Sequence, residues 1–484
     1  MKTKFKSVFN QYRKLPMPVK ASLWFTICNV LNKGIALLST PIFTRLLSTE
    51  EYGEFTVFQS WYSILVIFAT FNLFIGSYEK GLVEFEEDKE RFTTSLLGLT
   101  SCITLICGCI YFVNPKFWQS FLGLNSVLMV AMFIELLTMP AYEFWATKQR
   151  FAYKYKALVA CSIFISVGSI LFGVLAVLNT SFKAEARVYS DVAVKAIIGG
   201  GIFVILMLKG KQLFHWKYWK YALIFNIPLI PHFLSTMILN QSDRIMIKNL
   251  VDSSSAAVYG VAYTIGTMVL LITTAINNSF TPYIYQSIKE KKYEGIKKNG
   301  NILVILVFFL AVISMIFAPE IIYLFAGKKY YEAIGVIPPV AASVFLIFIY
   351  NLFSNIEYYY KKTKYIAIAS IICAVANVIL NYIFIPVFGY YAAGYTTLVC
   401  YLLYAITHFC FCRKILKKEK IEVQRVFHIR LYIFLTIVVI GVMIFMSLTY
   451  DFVFVRYTIL FFGIVAAIVK RKQIIEILQK RKRK

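Results

Sequence analysis

Six polar residues of the first apolar stretch, Ser22, Thr26, Asn29, Lys33, Thr40 and Thr44, follow one another at spacings of 4, 3, 4, 7 and 4. Those intervals put them on one face of an α-helix. Lys33 falls near the middle of that stretch. A lysine at the centre of a membrane span costs about 2.5–3.5 kcal/mol on insertion scales, so it is expected to face water or a counter-charge. A second stripe, His232, Thr236, Asn240 and Asp243, runs at spacings of 4, 4 and 3, with Arg244 adjacent and Lys248 one turn on. Pro228 and Pro231 precede or open that stripe, remove two backbone donors, and are expected to kink the helix.

Converging cations such as Lys33, Arg45, Arg244 and Lys248 would hold an anionic headgroup, a diphosphate for example, and would repel a cationic drug. Amides and hydroxyls recur in two further stretches, Thr274, Asn277, Asn278 and Thr281, then Asn351, Ser354, Asn355 and Tyr358. Such groups either bind sugar hydroxyls or fasten helices to one another, and the spacing leaves both roles open. Glu135 lies near the middle of an apolar run and is a candidate proton or cation site; the alternative is a structural partner for Lys33 or Lys195. Asp243 and His232 are the other coupling-ion candidates. Asp191 and Lys195 stand four residues apart and are expected to pair.

The elements that position these residues are membrane spans. The chain has 484 residues, 59% apolar and 15% charged. A soluble chain is about 45–50% apolar and about 25% charged, so a soluble enzyme or secreted domain is excluded. Apolar runs long enough to span a bilayer fall near 21–42, 54–76, 93–113, 122–144, 157–178, 188–208, 222–242, 258–280, 300–324, 336–358, 365–385, 393–412, 429–449 and 454–469. The fold class is an all-α polytopic membrane protein of about 14 spans. Of the 51 Lys and Arg, forty fall in one set of alternate connectors and nine in the other. Positive charge stays on the cytoplasmic side, which orients both termini inside. The net charge of +27 is therefore a topology signal and an attraction to anionic phospholipids, with no nucleic-acid partner expected.

The expected organisation is a basic cytoplasmic N-terminus (1–20), an N-lobe of spans one to six (21–208), a cytoplasmic linker (209–221), a C-lobe of spans seven to twelve (222–412), a cytoplasmic loop (413–428), spans thirteen and fourteen (429–469), and a basic tail (470–484). The two lobes read as a repeat. Tyr52-Gly53 and Tyr259-Gly260 are 207 positions apart, as are Tyr78 and Tyr285; Glu143 and Glu357 are 214 apart, as are Lys148 and Lys362. Parallel repeats with substrate between them are a recurrent transporter plan. All nine cysteines sit in apolar runs, so no disulfide, metal site or cofactor is expected. No P-loop, GxSxG or HExxH pattern occurs, and the connectors expected outside are short. An enzyme is therefore not expected, and a polysaccharide polymerase or ligase is the weaker alternative.

Two stretches carry a family resemblance. The first runs from Asn32-Lys33-Gly34 through Thr40-Pro41-Ile42-Phe43-Thr44-Arg45-Leu46-Leu47-Ser48 to Glu51-Tyr52-Gly53. The second comprises Lys361-Lys362-Thr363-Lys364, Asn377, Leu380-Asn381, Ile385-Pro386, Phe388-Gly389, Ala392-Ala393-Gly394 and Thr396, and Pro282 with its basic sequel also fits. The chain resembles Wzx-type polysaccharide repeat-unit flippases of the multidrug/oligosaccharidyl-lipid/polysaccharide (MOP) exporter superfamily, over most of residues 20–415. The resemblance implies a MATE-like two-lobe bundle of 12 core helices with two extra C-terminal helices. It implies alternating access, an undecaprenyl-diphosphate-linked oligosaccharide as cargo, coupling to an ion gradient, and a place among other polysaccharide-assembly membrane proteins. Arg45 and Tyr52-Gly53 match the family motif; Lys33 is singled out by spacing alone. Ala-Ala-Gly replaces the usual Gly-Ala-Ala order after Gly389, a change expected to affect packing only. A drug/cation antiporter shares the implied fold, but would carry a deep carboxylate on span one or seven.

Overall fold

The structure is a computed structural model that describes residues 16–454 and 456–458. Helices account for the secondary structure of those residues. Lipid offers no partner to a backbone N–H or C=O, so a chain this apolar satisfies its backbone within helices.

We number the helices α1 (Met17–Leu46), α2 (Thr49–Thr70), α3 (Ser77–Glu84), α4 (Lys89–Val113), α5 (Pro115–Leu122), α6 (Ser126–Phe151), α7 (Tyr155–Leu178), α8 (Lys183–Gly210), α9 (Trp216–Asn226), α10 (Ile230–Leu250), α11 (Ser253–Gly266), α12 (Val269–Lys289), α13 (Tyr293–Ile316), α14 (Ala318–Phe325), α15 (Ile337–Tyr359), α16 (Thr363–Phe388), α17 (Tyr390–Lys418), α18 (Val423–Val426) and α19 (Ile429–Thr449). Each of the first thirteen expected spans has its helix. Among the described residues eleven helical segments are long and apolar enough to cross a membrane, and the bent pair α11–α12 makes a twelfth. The thirteenth, α2, carries Glu50, Glu51, Glu54 and Gln59 in its first half and is less apolar. The expected fourteenth span, the first fifteen residues and the basic tail lie outside the described residues.

The helices depart from the expected limits where local chemistry overrides hydropathy. Span two was expected to run to residue 76, but α2 stops at Thr70. Phe71 and Asn72 take left-handed conformations (φ 49° and 48°), as does Gly76 (φ 73°). The freed carbonyls of Phe71, Asn72 and Ile75 accept from Asn226 Nδ2 at 3.0, 2.8 and 3.3 Å. Span seven breaks as the two prolines require: a 3-10 turn, Ile227–Leu229, separates α9 from α10. Span eight is bent by 42° between α11 and α12. Span nine ends at Ile316, and Ala318–Phe325 forms a separate short helix. Conversely, α6 continues past its apolar run to Phe151 and includes Lys148 and Arg150. Ser48 and Glu51 form a capping box at the start of α2, with Glu51 N donating to Ser48 Oγ at 3.1 Å and Ser48 N to Glu51 Oε2 at 2.7 Å.

The chain divides into two compact units. The first comprises the residues up to Val261 with Phe325–Lys329 and Ile366–Thr396; the second comprises Ala262–Leu324, Tyr330–Tyr365 and the residues from Thr397 onward. In the first unit α8 packs along α6 and α7, α1 lies against α7, and α10 against α2. An aromatic cluster of Tyr78, Phe85, Phe92, Phe144, Tyr218 and Tyr221 fills one end. Small residues set the close approaches. A Cβ on Gly199 of α8 would sit 2.5 Å from Thr138 O of α6, and one on Gly53 of α2 would sit 1.9 Å from Ser253 O. In the second unit α15 is buried almost all round, with α12, α13 and α19 packed on it.

Candidate functional site

The polar stripe of α1 divides by neighbour. Asn32 faces α7: its Nδ2 donates to Ser162 Oγ at 2.5 Å and its Oδ1 accepts from Ser166 Oγ at 3.0 Å. Ser22, Thr26, Asn29 and Lys33 point elsewhere and are exposed. Lys33 lies at the middle of a 30-residue helix and has no hydrogen bond or ion pair among the described residues. Its ammonium meets neither Glu135 nor any other carboxylate there, so the structural-partner role open to Glu135 falls to Lys195 alone. Toward the end of the helix, Thr40 and Thr44 are buried. Thr44 Oγ1 donates to Phe325 O at 3.3 Å. Arg45 is exposed and reaches back to Pro41 O at 3.4 Å.

The other cations of the expected cluster each take their own partner. Arg244 donates to Gln241 Oε1 at 2.9 Å and to Asn240 O at 3.3 Å. Gln241 Oε1 also accepts from Ser60 of α2 at 3.2 Å. Lys248 Nζ donates to Gly123 O at 2.6 Å. Gly123 sits beside a hollow of about 470 Å³ lined by Glu54, Lys116, Gln119, Ser120, Leu124, Asn125 and Leu128. The Arg244 and Lys248 side chains are thereby held in place rather than swinging freely.

Asp243 is fully buried among hydroxyl and amide groups. Tyr259 OH donates to its Oδ2, and Asn381 Nδ2 donates to its Oδ1 at 2.6 Å. Asn381 Oδ1 accepts from Thr396, and Asn377 Oδ1 accepts from Ser242 Oγ at 2.9 Å. This gathers α10, α11, α16 and the start of α17 around one carboxylate. The Asp243 carboxylate thus turns inward to Tyr259 and Asn381. His232 is half-buried, with Nδ1 3.1 Å from Ser370 Oγ on α16.

Glu135 belongs to a chain of four charges in the first unit. Lys195 Nζ is 2.6 Å from Glu135 Oε1 and 2.8 Å from Asp191 Oδ2, and Arg187 is 3.9 Å from Asp191 Oδ1. Ser169 and Gln59 also donate to Asp191, the latter at 3.1 Å. The Arg187 guanidinium lies 4.1 Å from the Phe43 ring centroid and 4.4 Å from that of Phe55. The expected Asp191–Lys195 pair is present, and Glu135 joins it as Lys195's second partner.

The amide stripes resolve in part. In the second unit Asn355 Nδ2 donates to Asn277 Oδ1 at 3.0 Å, and Thr281 Oγ1 donates to Asn355 Oδ1 at 3.2 Å. Asn277 and Asn355 thus fasten α12 to α15. Asn278 is exposed and Asn351 half-buried, and Asn240 Nδ2 is turned to Thr236 O at 2.7 Å. Asn226, which lies outside those stripes, accepts from Ser77 N at 3.3 Å through Oδ1 in addition to its three bonds to the carbonyls after α2. Its only signal was an amide just before Pro228 in an otherwise apolar run.

A family model described as "Polysaccharide biosynthesis protein" matches residues 19–288, and one described as "MatE" matches residues 228–383. The "Probable low-salt glycan biosynthesis flippase Agl15" of Haloferax volcanii is 22% identical over 80% of this chain and 82% of its own length. Among solved structures, "Lipid II flippase MurJ, inward closed conformation" superposes with a TM-score of 0.67 at 15% identity, covering 93% of this chain and 100% of that one. An inward-facing multidrug resistance MATE family transporter of the MOP superfamily gives a TM-score of 0.59 at 14% identity, over 80% and 96%. Those likenesses establish a MATE-like polytopic transporter fold. With more than half of its length matched by the family model, the chain belongs to the polysaccharide biosynthesis protein family.

Proposed function

We propose that this protein moves a lipid-linked oligosaccharide from the inner to the outer leaflet of a bacterial cytoplasmic membrane by alternating access. The cargo is an undecaprenyl-diphosphate-linked repeat unit. The observation that carries this reading is Lys33, an exposed cation at the middle of a membrane-spanning helix in a chain of this family. A central lysine is tolerated where it meets water or an anion, and the diphosphate of a lipid carrier is such an anion. Arg45, Arg244 and Lys248 supply further positive charge. The amides Asn29, Asn240, Asn278 and Asn351 suit sugar hydroxyls; Asn277 and Asn355 hold α12 and α15 together. The N-lobe (21–208) and C-lobe (222–412) are the moving bodies, and the Lys/Arg asymmetry supports both termini inside.

Coupling to an ion gradient is part of the reading. Asp243 is the first candidate, because its buried carboxylate accepts from the Tyr259 hydroxyl and the Asn381 amide, with Thr396 held on the Asn381 oxygen behind them. Glu135 and His232 follow.

Depleting the protein is expected to accumulate one lipid-linked oligosaccharide on the cytoplasmic face, with loss of a surface polymer. Mass spectrometry of the lipid pool with leaflet-selective labelling measures this. An unchanged pool together with altered sensitivity to cationic dyes would replace this reading with a drug antiporter.

A further inference from the structure

One buried ionisable pair has no part in the reading above. Glu357 lies in the last turn of α15 and His408 in α17. Glu357 Oε1 and His408 Nδ1 are 2.9 Å apart, and neither side chain has exposed surface. Their remaining polar atoms, Glu357 Oε2 and His408 Nε2, are buried without a hydrogen-bond partner among the described residues. Buried polar atoms are nearly always paired, and apolar side chains of equal volume usually stabilise as well as a buried ion pair. Packing strength therefore does not account for the pair.

Its surroundings suit a proton. The Tyr404 ring centroid is 4.6 Å from that of His408, and the Tyr350 ring lies nearly parallel at 5.4 Å. Aromatic faces favour an imidazolium, and so does the negative end of α15. The titratable neighbours are Tyr350 and Tyr358 on α15 and Tyr404 and Cys412 on α17, with Tyr432 of α19 reaching the site through Phe353 and Tyr285 of α12 meeting Tyr359. Among the described residues none of these neighbours is a carboxylate or an amine. With one added proton the pair is neutral overall, as imidazolium–carboxylate or as imidazole–carboxylic acid, and fits a dry interior. Without it the pair is a buried anion. The connector just past α15 holds Lys361 and Lys362, and the first turn of α16 holds Lys364; all three are exposed, four to seven residues from Glu357.

We propose that Glu357 and His408 form a proton-binding site that takes one proton from water and carries it, enclosed, through part of the transport cycle. This rests on the transporter reading for its purpose, though not for its chemistry. The proton bonds to imidazole nitrogen or carboxylate oxygen, and no other bond changes.

The test uses the full chain in lipid nanodiscs with nitrogen-labelled histidine and His215, His232 and His428 replaced by Gln, leaving His408 as the sole reporter. Between about pH 5 and 9, where histidine changes charge, its signal is expected to titrate. Glu357→Gln is expected to change the pH at which that signal responds. In cells, Glu357→Gln and His408→Gln are expected to flatten the pH profile of surface-polymer output, and Glu357→Asp to restore it. A His408 signal held in one protonation state across the range overturns the proposal, as does an unchanged pH profile in both variants when they reach the membrane at normal levels. An unaltered lipid-linked pool on depletion would sink the flippase reading alone, since the histidine titration is independent of cargo.

Discussion

Two buried clusters, one in each unit, meet the cost of buried charge differently. Around Lys195 two cations and two carboxylates alternate, Arg187–Asp191–Lys195–Glu135, and Ser169 and Gln59 add donors. Arginine and lysine hold their charge, so this cluster is balanced by fixed opposite signs. Around His408 there is one contact to Glu357, two orphaned polar atoms and a wall of tyrosine. Both members of that pair can become neutral by moving one proton. Fixed charges make a clamp; charges that can be discharged make a carrier.

The clamp is the place where substitution should cost most. Lys195→Met leaves Glu135 and Asp191 buried with only Arg187 nearby, and breaking a buried pair this way costs about 3–5 kcal/mol. Thermal unfolding of the purified chain in lipid measures it. Adding Glu135→Gln is expected to recover a large part of the loss, because the uncompensated charge goes with it. No recovery would mean that Lys195 is valued for packing instead.

A smaller effect is expected from the backbone approach that holds the clamp shut. Gly199 stands one turn beyond Lys195, facing Thr138 O, which is less than a turn beyond Glu135. Gly199→Val pushes α8 off α6 and should cost about 1–3 kcal/mol, the usual penalty of overpacking. Glu357→Gln should cost less again, about 0.5–1.5 kcal/mol for one hydrogen bond, because His408 beside it can stay neutral. If Glu357→Gln proves as damaging as Lys195→Met, the contrast between clamp and carrier fails.

These two clusters were unequally legible in the sequence. Asp191 and Lys195 are four apart on one helix, and periodicity alone pairs them. Lys33 announced itself by a charge at mid-span, and Pro228 and Pro231 by the backbone donors they lack. Glu357 and His408 are 51 residues apart on different helices, and each reads alone as a single polar residue near a span. Hydropathy also passed over the break after Thr70. Asn72 and Gly76 are the residues that permit it, but its stability comes from Asn226, 154 positions later than Asn72. Spans were legible because lipid imposes one simple rule on twenty residues at a time. Contacts between spans depend on helix rotation, which composition does not record.

Lys33 sharpens the comparison from outside both clusters, and its substitution should perturb the fold least. It is exposed and has no ion pair among the described residues, so Lys33→Ala removes nothing the structure leans on. The expected change in unfolding free energy is within about 0.5 kcal/mol, the range for surface substitutions. Output of the surface polymer should nevertheless be lost, with normal protein in the membrane and the lipid-linked oligosaccharide retained on the cytoplasmic face. Lys33→Arg should keep much of the output, because a diphosphate accepts either cation, and Lys33→Glu should abolish it. Normal polymer from Lys33→Ala would remove the observation on which the cargo assignment stands. A lysine that costs energy to insert, supports no neighbour and serves no ligand has no physical reason to persist at the centre of a span, so stability and output must separate at this position if the assignment is right.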